Sequence, residues 1–425
     1  MKKLIFLLAL IIAPTIILAG NGGVVLGDEQ FSKYMPLLKG KRVAIFSNQS
    51  GIVGDKVIIG QYDEDADWIV IDTSLVPLGN TPSGKAVVYG PHILDVMLSR
   101  NVNVTAIFSP EHGFRGTADP GETVNSSTDE KTGVPILSLY EKGSHIPSTE
   151  SMSKFDVLLV DIQDVGLRYY TYYITMHHLM EACSIYGKKV IILDRPNPNG
   201  FCVDGPVLDM KFKSGIGWLP IPIVHGMTLG ELGLMINGEG WLDGGKKCDL
   251  TVIPCLGYTH QTKYRLIMPP SPNLKDMKSI YLYPSTCFFE GTVVTPGRGT
   301  EAPFEVYGSP DMSYDDFNFT PTSMPGAKNP RYMNEVCYGV DLRGLSDEEI
   351  WAEKINLGYI IDAYKDLNIG DKFFGTNNHF DLLIGNDDVR KMIEEGKDVE
   401  VITASWKNDV DKFLKQRRPY LLYKE

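Results

Sequence analysis

The chain has 425 residues, 43% of them hydrophobic, an ordinary globular composition with room for about two domains of ~150 residues each plus insertions. Its 41 Lys and Arg against 53 Asp and Glu leave a net charge of −12, the wrong sign for gripping a phosphate backbone, so nucleic acid is not an expected partner. Six scattered cysteines with no C-x-x-C spacing exclude the common zinc-knuckle pattern and a dense disulfide scaffold; buried free thiols are the default, with Cys248 and Cys255 the closest pair if a bridge forms.

The first twenty residues, MKKLIFLLALIIAPTIILAG, run from two lysines through an apolar stretch to small residues at Ala19 and Gly20. That layout predicts a signal peptide over 1–20 and an exported protein, periplasmic or secreted. Pro14 and the shortness of the run argue against a retained anchor, and no later stretch is long and apolar enough to span a membrane.

From residue 40 to about 200, short apolar runs alternate with amphipathic segments. RVAIFSN (42–48), WIVID (68–72), VTAIFSPEH (104–112), DVLLVDIQD (156–164) and KVIILDRPN (189–197) read as strands of a parallel sheet covered on both faces. HILDVMLSRN (92–101) and YYITMHHLMEACSIYG (172–187) read as helices that end at Asn or Gly. The expectation is an α/β protein: a Rossmann-like three-layer domain with a mostly parallel sheet over 25–209, then a smaller α+β domain over 210–425. In that second part SIYLYPSTCFFEGT (279–292) alternates like a strand. A helix is expected from the S-D-E-E capping box at Ser346 to about Leu367, with others near 387–395 and 405–416.

No G-x-G-x-x-G or P-loop follows a strand, and H-E-x-x-H, EF-hand and G-x-S-x-G patterns are absent, so no nucleotide, metal or other cofactor is expected. Polar clusters instead close four of the apolar runs: Asn48-Gln49-Ser50, Glu111-His112, Asp161 with Asp164, and Asp194-Arg195-Pro196-Asn197. Open α/β sheets bind ligands beyond the carboxyl ends of their strands, so these clusters should share one rim.

Glu111, in FSPEHGFRG, is the sharpest candidate, because a carboxylate leaving a buried strand is easily desolvated and drawn toward general-acid use; a structural ion pair with Arg115 is the alternative. His112 beside it suits ligand contact better than chemistry. DIQDVGLRYYTYY (161–173) offers Asp161, Asp164, Arg168 and Tyr173 on a tyrosine-rich rim suited to a sugar or polyol, although Asp164 capping a helix and tyrosines packing on the sheet would give the same pattern. The prolines of DRPNPNG hold Arg195 and Asn197 on a rigid loop. FFEGTVVTPGRGTEAPFEVYG (288–308) carries Glu290, Arg298 and Glu301 among glycines.

Taken together, FSPEHGFRG, DIQDVGLRYYTYY, LDRPNPNG, HGMTLGELGLMING, PPSPNLKDMKSIYLYPSTCFFEGT and GRGTEAPFE resemble, in the same order, the hallmark blocks of a bacterial family of exo-β-N-acetylmuramidases named for NamZ. The resemblance spans nearly the whole chain after Leu37. It implies an enzyme that removes N-acetylmuramic acid from the non-reducing end of peptidoglycan fragments, with its site between a Rossmann-like domain and an auxiliary one. It also implies that Glu111 is the catalytic acid, with muramyl saccharides as the partners. Glycoside hydrolysis usually needs a second carboxylate, ~5 to 5.5 Å from the first for retention or ~6.5 to 9.5 Å for inversion. Asp164, Asp161, Glu122 and Glu290 compete for that role, and a substrate-assisted route is also open. The lactyl carboxylate of muramic acid needs a cation, and Arg168, Arg195, Arg115 and Arg298 are suitable. A non-catalytic cell-wall saccharide-binding protein using the same cleft is the alternative.

Overall fold

The computed structural model describes residues 23–55, 57–61, 69–72, 86–110, 114, 127–139 and 145–425. The expected signal peptide lies outside the described residues. Seven strands form the main sheet: β1 (Arg42–Phe46), β2 (Asn103–Phe108), β3 (Ser127–Thr128), β4 (Pro135–Leu137), β5 (Val157–Val160), β6 (Lys189–Leu193) and β7 (Asp249–Ile253). Their spatial order is β7-β6-β5-β1-β2-β4-β3, and every neighbouring pair is parallel except β3 with β4 at the edge.

The apolar runs form buried strands because both faces of the sheet are covered. Along β1, Val43 and Ile45 join one apolar cluster while Ala44 and Phe46 join another; along β5, Val157 and Leu159 face one side and Leu158 and Val160 the other. The first face packs on Tyr34 and Leu38 of the helix Phe31–Leu38 and on Ile93, Leu94 and Met97 of the helix Ile93–Ser99. The second face packs on the helices Tyr172–Tyr186 and Leu229–Gly238 through Met176, Leu179, Met180, Leu232, Met235 and Ile236. This is the three-layer arrangement the sequence predicts.

Three local expectations need correction. Ile69–Asp72, from WIVID, joins no parallel sheet; it pairs antiparallel with Val57–Gln61, which also pairs with Ala86–Tyr89, in a separate three-stranded sheet. A short apolar run fits either kind of sheet, and periodicity alone does not choose its partner. SIYLYPSTCFFEGT is not a strand but the helix Met277–Thr286 followed by a 3-10 turn, Cys287–Gly291. Asp276 opens that helix by accepting the Ser279 amide at 2.8 Å, and Ser279 through Thr286 are buried without a break, so no polar stripe marks the helical period. The helix capped by Ser346 stops at Glu353, because Lys354 takes a left-handed φ of 55°, and restarts as Gly358–Leu367.

Beyond β6 the chain does not leave the first sheet at once. β7 adds its edge strand from within the stretch expected to form the second domain. The remainder forms a small antiparallel sheet of β8 (Val306–Ser309), β9 (Asn318–Phe319) and β10 (Cys337–Asp341), ordered β8-β10-β9, surrounded by helices that include Gly358–Leu367, His379–Ile384, Asp388–Glu394, Val399–Ser405 and Lys407–Arg417. One apolar cluster runs without interruption from the second face of the main sheet into these helices, through Phe288, Phe289, Phe304, Phe373 and Phe380. All six cysteines are buried and unbridged. Among the described residues, no helix is long and apolar enough to cross a membrane.

Candidate active site

Strand order reverses between β1 and β5: β2 and β4 lie to one side of β1, and β6 and β7 lie beyond β5. A crevice opens beyond the carboxyl ends of two such strands. The chain fills its floor with hydrogen bonds. Asn48, just past β1, accepts from the Ser50 amide at 2.9 Å and donates to the Tyr172 hydroxyl at 2.9 Å, while the Ser50 hydroxyl accepts from the Gln163 amide beyond β5. Tyr172 in turn donates to the Pro270 carbonyl at 2.7 Å, tying the first domain to the segment that crosses above it.

Above this floor lies a cleft of about 440 Å³. Tyr169, Tyr170, Thr171, Tyr172 and Ile216 form one wall; Ser271, Asn273, Leu274, Tyr283, Glu290, Arg298 and Phe304 form the other, and Asn377 and His379 close it. The walls are braced where the Tyr169 hydroxyl donates to the carbonyls of Tyr283 and Pro284 at 3.1 and 3.0 Å. An aromatic lining with a few polar groups is suited to a sugar, whose C–H faces stack on rings while its hydroxyls seek donors and acceptors.

Two of the predicted site residues line this cleft, Glu290 and Arg298, joined by a 2.5 Å ion pair. Asp164 lies behind the tyrosine wall. It is 7% exposed, one oxygen accepts the Gly166 amide at 2.7 Å, and the other has no partner among the described residues. Burial pushes its carboxyl up to about 7, against the pull of the Gly166 and Val165 amides. The Tyr170 hydroxyl, on the wall itself, is likewise buried without a partner among the described residues.

The other described candidates serve the scaffold. Arg168 is fully buried and grips four backbone carbonyls, Pro206 and Ile221 with one terminal nitrogen and Leu383 and Ile384 with the other, at 2.6 to 3.1 Å. Arg195 is 7% exposed and bridges two buried carboxylates, Asp28 and Asp161, at 2.7 Å each. Asp161 is thereby a counter-ion rather than a sugar ligand, and burial pushes Asp28 up to about 8 although Arg195 opposes it. Asp194 caps the helix Leu229–Gly238, accepting from the Gly230 amide and from the hydroxyls of Thr228 and Tyr423. Asn197 holds its own turn through the Asn199 amide and the Met227 carbonyl, and Tyr173 accepts the Trp218 amide inside the core. Glu301 projects into solvent and, among the described residues, pairs with Lys275 alone. These side chains look functional in sequence because a buried charge and a ligand-binding charge leave the same local trace.

Glu111, His112, Arg115 and Glu122 lie outside the described residues. The strand that leads to them is described: β2 ends at Phe108, whose carbonyl accepts the Ser47 amide just past β1 at 3.2 Å. The lining residues missed in the sequence are Ser271, Asn273, Asn377 and His379. Asn377 and His379 flank Asn378, a non-glycine residue at φ 46°, and no motif announces them. Among the described residues, no three His, Cys, Asp or Glu side chains are placed to hold a metal ion.

Comparison with known proteins gives this geometry a family. The profile described as exo-beta-N-acetylmuramidase NamZ, N-terminal, matches residues 80–278, and the corresponding C-terminal profile matches residues 281–423. The chain belongs to the NamZ family. The cleft therefore takes its tyrosine wall from the N-terminal region and Tyr283, Glu290, Arg298 and Phe304 from the C-terminal one. The peptidoglycan beta-N-acetylmuramidase NamZ of Bacillus subtilis is 35% identical over 412 residues, covering 93% of this chain and 90% of that protein. Two crystal structures of DUF1343 family proteins from Bacteroides fragilis are also similar. One is 57% identical with a TM-score of 0.80, over 95% of this chain and 99% of its own; the other is 27% identical with a TM-score of 0.72, over 94% and 99%.

Proposed function

We infer that this NamZ-family chain is a glycoside hydrolase of peptidoglycan, an exo-β-N-acetylmuramidase that releases N-acetylmuramic acid from the non-reducing end of muramyl saccharides. The observation that carries this reading is 35% identity to the Bacillus subtilis enzyme across 93% of the chain, which leaves no large part of it outside the likeness. The aromatic cleft between the two family regions supports a saccharide as the ligand.

Glu111 is the general acid in this reading. In the chain it comes just after β2, and a carboxyl that follows a buried strand is readily desolvated, which favours a protonated acid able to deliver its proton to the leaving oxygen. Asp164 is the carboxyl best suited to assist, because its raised pKa and its unpartnered oxygen leave it able to hold or release a proton near neutrality. Export to the periplasm or beyond belongs to the same reading, supported by the residue order of 1–20.

The decisive experiment is hydrolysis of a chromogenic N-acetyl-β-muramide by the purified protein and by Glu111→Gln. The wild type is expected to release the chromophore; the variant should keep the fold and lose at least ~10²-fold in turnover. Full turnover by Glu111→Gln would remove the general acid from this account. A wild type that binds muramyl sugars but yields no product would make the chain a binding protein.

A further inference from the structure

The muramidase reading raises a recognition problem: N-acetylmuramic acid differs from N-acetylglucosamine by the lactyl ether on O3, whose carboxylate needs a cation. Of the four arginines near the expected rim, Arg168 and Arg195 are enclosed and engaged, and Arg115 lies outside the described residues. Among the described residues, Arg298 is the one arginine or lysine that lines the cleft.

Its geometry is that of a prepared donor. The Nε atom is taken by Glu290 Oε1 at 2.5 Å, and the other Glu290 oxygen accepts the Cys287 thiol at 3.5 Å. The two terminal nitrogens have no partner among the described residues. With Nε occupied, the outer edge of the guanidinium offers two parallel N–H groups at the spacing of a carboxylate. The side chain is 24% exposed and lies 5.0 Å from the Phe304 ring centre, so it is neither free in solvent nor sealed in the core.

The backbone fixes this pose. Gly297 and Gly299 flank Arg298 at φ +76° and +83°, and a Cβ on either would stand 2.6 Å from Val306 or Pro330. The turn that aims Arg298 therefore requires glycine on both sides, and its neighbours leave it little room to move. Holding the cation in advance spares the entropy of ordering a long side chain when the ligand arrives.

We propose that Arg298, oriented by Glu290, anchors the lactyl carboxylate and so selects muramyl over glucosaminyl residues. This rests on the muramidase reading of the same cleft, and a binding measurement separates the two.

Wild type, Arg298→Ala and Arg298→Lys are titrated calorimetrically with N-acetylmuramic acid and with N-acetylglucosamine, and assayed on the matching chromogenic β-glycosides. The wild type should prefer the muramyl sugar. Arg298→Ala should weaken its binding and raise its KM by about 10- to 100-fold, the range for one charge-assisted contact, while leaving the glucosaminyl sugar within about threefold. Arg298→Lys should fall between, keeping the charge but losing the paired donors. Unfolding midpoints of both variants check that the fold persists. Equal losses for both sugars, no loss for either, or no muramyl preference in the wild type would each overturn the proposal. If the wild type binds N-acetylmuramic acid through Arg298 yet hydrolyses no muramide, the anchor stands and the enzymatic reading fails.

Discussion

Arg168 gives the sharpest test of how this structure assigns its charges. Sequence position makes it a candidate ligand for a carboxylate, whereas the structure surrounds it with four carbonyls and leaves it no exposed surface. Two of those carbonyls, Leu383 and Ile384, close the helix His379–Ile384, where a cation meets the negative end of the peptide dipoles. Arg168→Met keeps much of the aliphatic volume and removes every donor. The carbonyls of Pro206, Leu383 and Ile384 lose their partner while that of Ile221 keeps the Leu208 amide, so three bonds at about 1 kcal/mol each give about 3 kcal/mol, at the lower end of the cost of breaking a buried charged pair. Chemical denaturation followed by intrinsic tryptophan fluorescence should show a marked fall in the unfolding midpoint. Turnover per folded molecule at low temperature should change little. If the midpoint stays put while KM for a muramide rises tenfold or more, the guanidinium faces substrate and this assignment is wrong.

Asp164 predicts a pH dependence with a definite sign. Its folded carboxyl is raised from about 3.8 to about 7, so the folded state holds a proton that the unfolded state has released, and stability contributed by this site falls as pH rises from about 4 to about 7. Asp164→Asn should therefore be stabilised relative to wild type at pH 8, by up to about 4 kcal/mol, and indistinguishable from it near pH 4; a constant difference at both pH values would refute the shift. The same variant should lose any limb near pH 7 in the kcat profile if Asp164 takes part in proton transfer. Gly291→Ala places a Cβ about 2.4 Å from the Phe380 amide nitrogen, a backbone atom that cannot step aside. It should lower the melting temperature and, by displacing the neighbouring Glu290, raise KM for the muramide. A neutral outcome on both measurements would mean that the two segments pack less closely than this.

Much of the fold was legible because its cause is local. The runs that became β1, β2, β5 and β6 carry unbroken apolar stretches, Val43–Phe46, Ala106–Phe108, Val157–Val160 and Val190–Leu193, and such stretches are stable where both sheet faces are buried. The Ser346 capping box was legible because its two bonds lie within four residues, with the Glu349 amide donating to Ser346 at 3.2 Å and Glu349 returning an acceptor at 2.7 Å. The helix Met277–Thr286 was not legible, because burial on all sides erases the polar face that reveals a helical period.

The site divides in the same way. The sequence by itself determined that polar residues gather where strands end, that aromatic rings accompany them, and which family the blocks resemble, since these depend on residue type and order. Tertiary structure alone decided how each charge is used. Arg168, Arg195 and Arg298 carry the same guanidinium, and each sits beside aromatic or turn residues in the chain. What separates them is the company that folding brings from far along it: carbonyls from 206 to 384 around the first, Asp28 and Asp161 around the second, and for the third a single carboxylate on one edge with the other edge open to the cleft. Desolvation and ion pairing act over a few ångströms in space, irrespective of separation in sequence. For that reason the sequence could nominate the charged groups, and only the packed structure could sort scaffold from cleft.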